Sequence, residues 1–280
     1  WDNMHIMFAT SKGNIRRNDL SDFKKIQSNG KIAIRMDEDD SLVNVTACSE
    51  DEHILLASKK GKAVRFPVNA IRVFKSRTSD GVRGMRLAAG DKVISMTILH
   101  GIKSSMEDRE AYLSIPFERR LEIAKGNMEW APEEFEVALT KEQIIEMAMG
   151  EEFILTISEN GMGKRTSAYH YRITNRGGSG IVNMVLSEKT GDVVASMPAC
   201  MNDEIMLITN NGKLIRCKLE SVRVTGRSTS GVILFKTEKD EKVVSASLIA
   251  DSSEDEGEEG EGIDDIGEDV DVGEEGDTSS

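Results

Sequence analysis

Short apolar runs separated by glycine recur four times along the chain. His5–Thr10, His53–Ser58, Phe153–Ile157 and Ile205–Thr209 each lead through a glycine (Gly13, Gly61, Gly161, Gly212) into a basic segment. A variable loop follows, then a second glycine (Gly30, Gly81, Gly180, Gly231) that opens another apolar segment. Each unit ends in one more apolar run: Leu42–Val45, Lys92–Met96, Asp192–Met197 or Lys242–Ala246. Runs of this length, rich in β-branched residues and bounded by Gly, Asn, Asp and Ser, predict strands. The second glycines are 51, 99 and 51 residues apart, so the middle interval is one repeat plus an insertion. A period near 50 with four strands per unit predicts an all-β fold of propeller-like, four-stranded blades. One such blade cannot bury both its faces, so the four must stack about a common axis.

The insertion has another texture. Pro116–Lys125, ending at Gly126, predicts a helix with proline in its first turn. Thr140–Gly150 offers a cap threonine, then Glu142 and Gln143, then apolar residues at helical spacing, and predicts a second helix. The chain thus divides into residues 1–100 (two blades), 101–152 (a partly helical insertion), 153–250 (two blades) and 251–280. That last segment is Gly, Asp and Glu with isolated Ile263, Ile266, Val270 and Val272, a composition that predicts a disordered acidic tail.

Charge sharpens this division. The chain carries 36 Lys+Arg and 49 Asp+Glu, a net charge of −13. Residues 251–280 hold fifteen acids and no base, and residues 101–152 hold thirteen acids and six bases. What remains, residues 1–100 and 153–250, has 30 bases and 21 acids, a net of +9. A basic repeat array with an acidic insertion and tail points to a polyanion as partner.

Most catalytic chemistry is excluded on motifs. There is no phosphate-binding G-x-x-x-x-G-K-[ST] loop, no H-E-x-x-H and no G-x-S-x-G. His5 and His53 occupy equivalent places in two repeats, which predicts a shared structural role. Cys48, Cys200 and Cys217 lack a C-x-x-C spacing, so neither a zinc site nor a disulfide framework is indicated. Cys48 and Cys200, again equivalent, are expected to be buried small hydrophobes. Free thiols fit a reducing, cytoplasmic setting. No apolar run approaches the roughly 18 residues of a membrane helix. The chain begins at Trp1 without a basic-then-apolar leader, which suggests a piece of a longer polypeptide.

The candidate site is the set of cations that recurs in register. On the strand after the first glycine stand Arg16 and Arg17, Lys62 and Arg65, Lys164 and Arg165, and Lys213 and Arg216. Around the variable loops stand Lys24 and Lys25; Arg72, Lys75 and Arg77; Arg172 and Arg176; and Arg223 and Arg227. Stacked repeats bring equivalent positions onto one rim, so these cations are expected to form a stripe that follows DNA phosphates. Few aromatics accompany them, which favours duplex backbone over stacked single strands. Nothing suggests readout of base edges, so binding is expected to tolerate sequence and to depend on DNA bending.

In these same residues the four units resemble the C-terminal domain of the A subunit of DNA gyrase. The resemblance is carried by Phe8-Ala-Thr-Ser-Lys-Gly-Asn14, Gly61-Lys-Ala-Val-Arg-Phe66, Thr78-Ser-Asp-Gly-Val-Arg-Gly-Met-Arg-Leu87, Asn160-Gly-Met-Gly-Lys-Arg-Thr166 and Gly226-Arg-Ser-Thr-Ser-Gly-Val-Ile-Leu234. It implies a β-pinwheel, a disc of usually six blades whose basic rim wraps double-stranded DNA. It further implies partnership with the remainder of the gyrase A polypeptide and with gyrase B in a heterotetramer, a bacterial topoisomerase (an isomerase) that performs ATP-dependent negative DNA supercoiling. ATP and Mg2+ are implied for that assembly, with no cofactor in this fragment. The family's Gln-Arg-Arg-Gly-Gly-Lys-Gly box is absent, and Arg176-Gly-Gly-Ser-Gly180 is its nearest echo. Tyr112, Tyr169 and Tyr171 have no catalytic context. Two other readings remain open: the equivalent domain of topoisomerase IV, and a propeller that binds proteins.

Overall fold

The computed structural model describes residues 1–25, 28–127, 129–130 and 135–249; the acidic tail lies outside the described residues. The first repeat supplies β1 (His5–Thr10), β2 (Asn14–Asp19) and β3 (Leu42–Cys48). The second supplies β4 (His53–Ser58), β5 (Lys62–Pro67), β6 (Val82–Arg83) and β7 (Val93–Leu99). Three helices follow: α1 (Met106–Ser114), α2 (Phe117–Ala124) and α3 (Lys141–Met149). The third repeat is β8 (Phe153–Ser158), β9 (Met162–Ser167), β10 (Ile181–Val182) and β11 (Val193–Pro198). The fourth is β12 (Glu204–Thr209), β13 (Leu214–Lys218), β14 (Val232–Ile233) and β15 (Val243–Ile249).

The strands form antiparallel sheets ordered β3-β1-β2-β6, β10-β5-β4-β7, β11-β8-β9-β14 and β13-β12-β15. A blade is therefore not one repeat. Three strands come from one repeat, and the outermost strand is donated by the next: β6 pairs with β2, β10 with β5 and β14 with β9. The fourth sheet has three strands among the described residues, and Gly30–Arg35, expected as a strand, is assigned none. The second glycines make the donation possible. Gly81, Gly180 and Gly231 all have positive φ, and a Cβ at each would lie 2.3–2.6 Å from a carbonyl oxygen of the receiving strand. Only glycine combines that conformation with that approach. Gly30 has the same φ and nothing within 4 Å.

At the axis β7 packs against β3 and β11, and β11 packs against β15. Together these four strands line a cavity of ≈ 500 Å³. Between blades lie clusters built from neighbouring sheets, such as Met7, Ile15, Leu56, Val64, Phe66 and Met96. Strands of inner sheets covered on both sides lose the apolar–polar alternation of a one-sided sheet. In β4 and in Ile154–Ser158 of β8 every residue is buried.

The helical insertion has its own core of Tyr112, Ile115, Ile123, Trp130, Ile144 and Met147. Helix α2 starts after Pro116, and α3 starts from a Thr140–Gln143 capping box, both as expected. Helix α1 was not legible; its Ser105–Asp108 capping box starts a segment with little apolar periodicity. Arg120 and Glu151 form an ion pair whose side chains are almost wholly buried. Beside it, α2, α3 and the β11–β12 turn enclose a cavity of ≈ 360 Å³. Cys48 is buried as expected, but Cys200 is exposed, because it lies in that turn, where its N–H donates to Asp203 Oδ2 at 2.7 Å. Among the described residues no helix is long and apolar enough to cross a membrane, and no cluster of three metal-ligating side chains occurs.

Candidate nucleic-acid interface

The seventeen candidate cations fall into three groups. Five are buried: Arg16 and Lys164 at 0% exposure, Arg65 at 1%, and Arg17 and Arg165 at 2%. These five correct the expectation of a single stripe, because a cation sealed between blades does not reach a phosphate. They sit on β2, β5 and β9, the strands that receive the donated strand and are covered on both faces.

What they do instead repeats from junction to junction. Arg17 Nη1 donates to Ile71 O (3.2 Å), Arg65 Nη1 to Ala168 O (2.9 Å), and Arg165 Nε to Val222 O (2.9 Å). Each acceptor lies in, or just after, the 3-10 turn of the next repeat. The backbone at the same residues forms parallel bridges to Val73, Ile173 and Val224. Each buried arginine is thus a latch from one blade to the next, its charge met by carbonyl oxygens and, at Arg17, by the Glu50 carboxylate as well. Arg65 Nη2 also donates to His100 O (2.8 Å), and its Nε donates to His53 Nδ1 (3.1 Å). Burial, and then the neighbouring Arg65, depress the His53 pKa to about 4, so this imidazole is neutral and accepts that bond. His5, at the same repeat position, instead faces Asp19 (Nδ1–Oδ1 3.3 Å).

Arg16 and Lys164 form a second buried pair of equivalents. Arg16 Nη1 donates to Arg77 O (2.6 Å) and Ser79 O (2.8 Å). Lys164 Nζ donates to Gly226 O (2.9 Å), Arg227 O (2.6 Å) and Thr229 O (3.1 Å). Burial, with Arg227 nearby, pushes the Lys164 pKa down to about 7. Both cations hold the loop that carries the next repeat's rim cations. The second repeat has Val64 at this place, and there the loop is held by Gly177 N donating to Gly84 O (2.6 Å).

A second group pairs with carboxylates: Lys24 with Asp2, Lys75 with Asp19, Lys213 with Glu238 and Glu241, and Arg216 with Glu204. Surface pairs of this kind are weak and exchangeable. Arg216 occupies the latch position of the fourth repeat, where β13 receives no donated strand among the described residues, and its side chain is 65% exposed.

The third group stands at the rim with no carboxylate partner among the described residues: Lys25, Lys62, Arg72, Arg172 and Arg223 are exposed. Arg77, Arg176 and Arg227 lie beside them and bond backbone carbonyls. Arg72, Arg172 and Arg223 are repeat equivalents, each directly before a bridging residue. Arg72 lies over the Phe74 ring, its guanidinium carbon 4.1 Å from the ring centroid. Two further exposed arginines, Arg83 on β6 and Arg86 just after it, extend the row. They follow Gly81 directly, and strand donation puts β6 at the outer edge of the first sheet, a placement no local pattern encodes. The tyrosines are structural: Tyr112 Oη donates to Glu151 Oε2 (2.9 Å), Tyr169 Oη to Met147 O (3.0 Å) and Tyr171 Oη to Asn183 Oδ1 (2.5 Å).

A family model described as the DNA gyrase C-terminal domain, β-propeller, matches residues 5–49, 52–100, 152–200 and 203–250. The A subunit of DNA gyrase from Rickettsia bellii (strain RML369-C) is 68% identical over 268 residues, which cover 96% of this chain and 30% of that protein. Its counterpart from Granulibacter bethesdensis is 42% identical over 284 residues, covering 97% of this chain and 29% of that protein. The chain therefore spans about 30% of the length of such relatives. A solved DNA gyrase A C-terminal domain aligns with a TM-score of 0.63 at 23% identity, over 89% of this chain and 67% of that one. The C-terminal domain of a DNA topoisomerase IV aligns with a TM-score of 0.65 at 18% identity, over 88% of this chain and 62% of that one. At these identities the two structures speak for the fold.

Proposed function

The chain belongs to the DNA gyrase C-terminal domain family, and on that footing we propose that it binds double-stranded DNA along its rim and bends it round the row of blades. The observation that carries this reading is the exposed trio Arg72, Arg172 and Arg223, which recurs from repeat to repeat, with exposed Lys62 and Arg83 beside it and no carboxylate partner to any of the five among the described residues. Contacts to phosphate alone fix position without selecting sequence, so binding is sequence-tolerant. In the whole protein this domain serves ATP-dependent negative supercoiling by gyrase, together with the remainder of gyrase A and with gyrase B, on the chromosome in the bacterial cytoplasm. Relatives named as the A subunit of gyrase favour this over the topoisomerase IV reading. The reading assigns no cofactor to residues 1–280; ATP and Mg2+ act elsewhere in the assembly.

The acidic tail enters the same electrostatics. A segment of charge −15 tethered to a basic rim competes with DNA at high effective concentration. The test is a salt titration of DNA binding with and without residues 251–280. Log K is expected to fall with log salt by about 0.9 per phosphate neutralised, and removal of the tail is expected to raise affinity most at low salt. A flat salt profile overturns the binding reading. Equal affinities at low salt overturn the role of the tail alone.

A further inference from the structure

Three equivalent arginines reach from one blade's rim to the next. Arg77, Arg176 and Arg227 each stand four residues before the second glycine of their repeat. Arg77 Nη1 donates to Ile32 O (2.9 Å), Arg176 Nη1 to Arg83 O (3.1 Å) and Arg227 Nη1 to Val182 O (2.7 Å). These acceptors are themselves equivalent, each two residues after the second glycine of the preceding repeat. Arg176 and Arg227 add a second bond from Nε, to Ala70 O (3.3 Å) and His170 O (2.7 Å), the final carbonyls of that repeat's 3-10 turn. The result is a ladder of guanidinium rungs along the outer edge.

The rungs are anchored at their own main chain too. Arg16 grips the Arg77 carbonyl and Lys164 grips that of Arg227, while the amide after Arg176 donates to Gly84 O. A guanidinium has five N–H donors. The bonds above use Nε and Nη1, and none from Nη2 occurs among the described residues.

Several sets of contacts relate neighbouring blades: the axis, where β3, β7, β11 and β15 lie side by side, the donated strands and buried latches between sheets, and the arginine ladder at the rim. The rim bonds lie farthest from the axis, where a change in the angle between two blades displaces the backbone most. We propose that Arg77, Arg176 and Arg227 are positioning residues that fix the blade-to-blade angle at the rim and thereby the path along which bound DNA is bent. The inference rests on the DNA-bending reading above and adds to it the element that sets the curve.

The test is the full chain carrying Arg176→Lys and Arg227→Lys, which keeps both charges and loses the planar fork. Arg72→Ala, which removes a rim charge outside the ladder, is the reference. Affinity and salt slope are measured on linear duplex. The linking-number change is measured on relaxed circular DNA at saturating protein, closed by a nicking-closing enzyme. The lysine variant is expected to bind within about twofold of the parent, with the same salt slope. Its linking-number change per bound chain is expected to fall to about half or less. The Arg72→Ala reference is expected to do the reverse. A folded lysine variant that retains the full linking-number change overturns the inference. So does one that loses affinity alone, because the arginines are then plain phosphate contacts. If the double variant does not fold, Arg77→Lys, Arg176→Lys and Arg227→Lys singly are each expected to remove a part of the change.

A DNA-free readout separates this inference from the reading beneath it. Spin labels at Arg72→Cys and Arg223→Cys, with Cys200 and Cys217 replaced by Ser, report the distance across the row. That distribution is expected to shift or broaden in the lysine variant, and an unchanged one overturns the ladder. A parent chain that neither binds nor bends DNA removes the DNA reading and leaves the rim geometry to this measurement.

Discussion

Two rows of cations run through this protein at the same repeat spacing, and they do opposite work. Arg17, Arg65 and Arg165 lie on strands sealed between blades, where each guanidinium bonds a carbonyl of the next repeat. Arg72, Arg172 and Arg223 lie a short stretch of backbone away, next to the very residues that bridge to the first row, and they face solvent. Identical charge and identical periodicity therefore do not imply one surface. Whether a strand is covered on both faces decides which arginine is a fastener and which is free for a ligand.

The largest effect that would break this comparison is expected at the buried row. Arg65→Ala strands Ala168 O, His100 O and the acceptor at His53, and is expected to lower unfolding free energy by about 3–4 kcal/mol. The folded fraction should keep its salt slope on DNA; urea unfolding and a binding titration check both halves. The rim should answer in the opposite sense. Arg72→Glu, Arg172→Glu and Arg223→Glu together are expected to cut DNA affinity about 100-fold and flatten the salt slope by about 3, with each stability change within about 0.5 kcal/mol.

A pH experiment sharpens the buried side. His53 is neutral in the fold, with its pKa depressed to about 4 from 6.5. As pH falls from 6.5 towards 4 the unfolded chain takes up the proton first, so this contribution to stability is complete above 6.5 and is lost through that window. Between pH 7.5 and 4.5 the parent is expected to lose about 2 kcal/mol more than His53→Gln, as read from paired urea midpoints. The smallest effect is the most discriminating. Arg216 holds the latch position of the fourth repeat, is largely exposed and has no donated strand beside it among the described residues, so Arg216→Ala is expected to cost less than about 0.5 kcal/mol. A cost as large as that at Arg65 would mean that latch positions matter for a reason other than the junction.

The architecture was legible where local chemistry dictates the residue. Gly81, Gly180 and Gly231 are demanded by a positive φ and a close carbonyl, and with Gly30 they mark a 51-residue spacing on either side of the insertion that counts the blades. The capping box at Thr140 and the proline before α2 are local signals of the same kind. Strand donation was not legible, because β6, β10 and β14 are two residues long and their partners lie in another repeat. The site suffered from the same gap. Arg16 and Arg17 are adjacent and both buried, which alternation forbids for a strand with one wet face but allows for one covered on both. The loop cations carry no such ambiguity, and Arg72, Arg172 and Arg223 stand exposed at the rim as their loop positions imply. Arg83 and Arg86 escape a pattern-based reading because they look like strand residues of their own repeat.

Strand donation also imposes an order on synthesis. A ribosome delivers the receiving hairpin of each repeat before the strand that completes its sheet, so every newly made sheet waits with one unpaired edge until the following repeat emerges. An exposed edge is a template for pairing with another chain. While a repeat awaits its successor, its receiving strand β2, β5 or β9 therefore holds an unpaired edge at the growing end of the array.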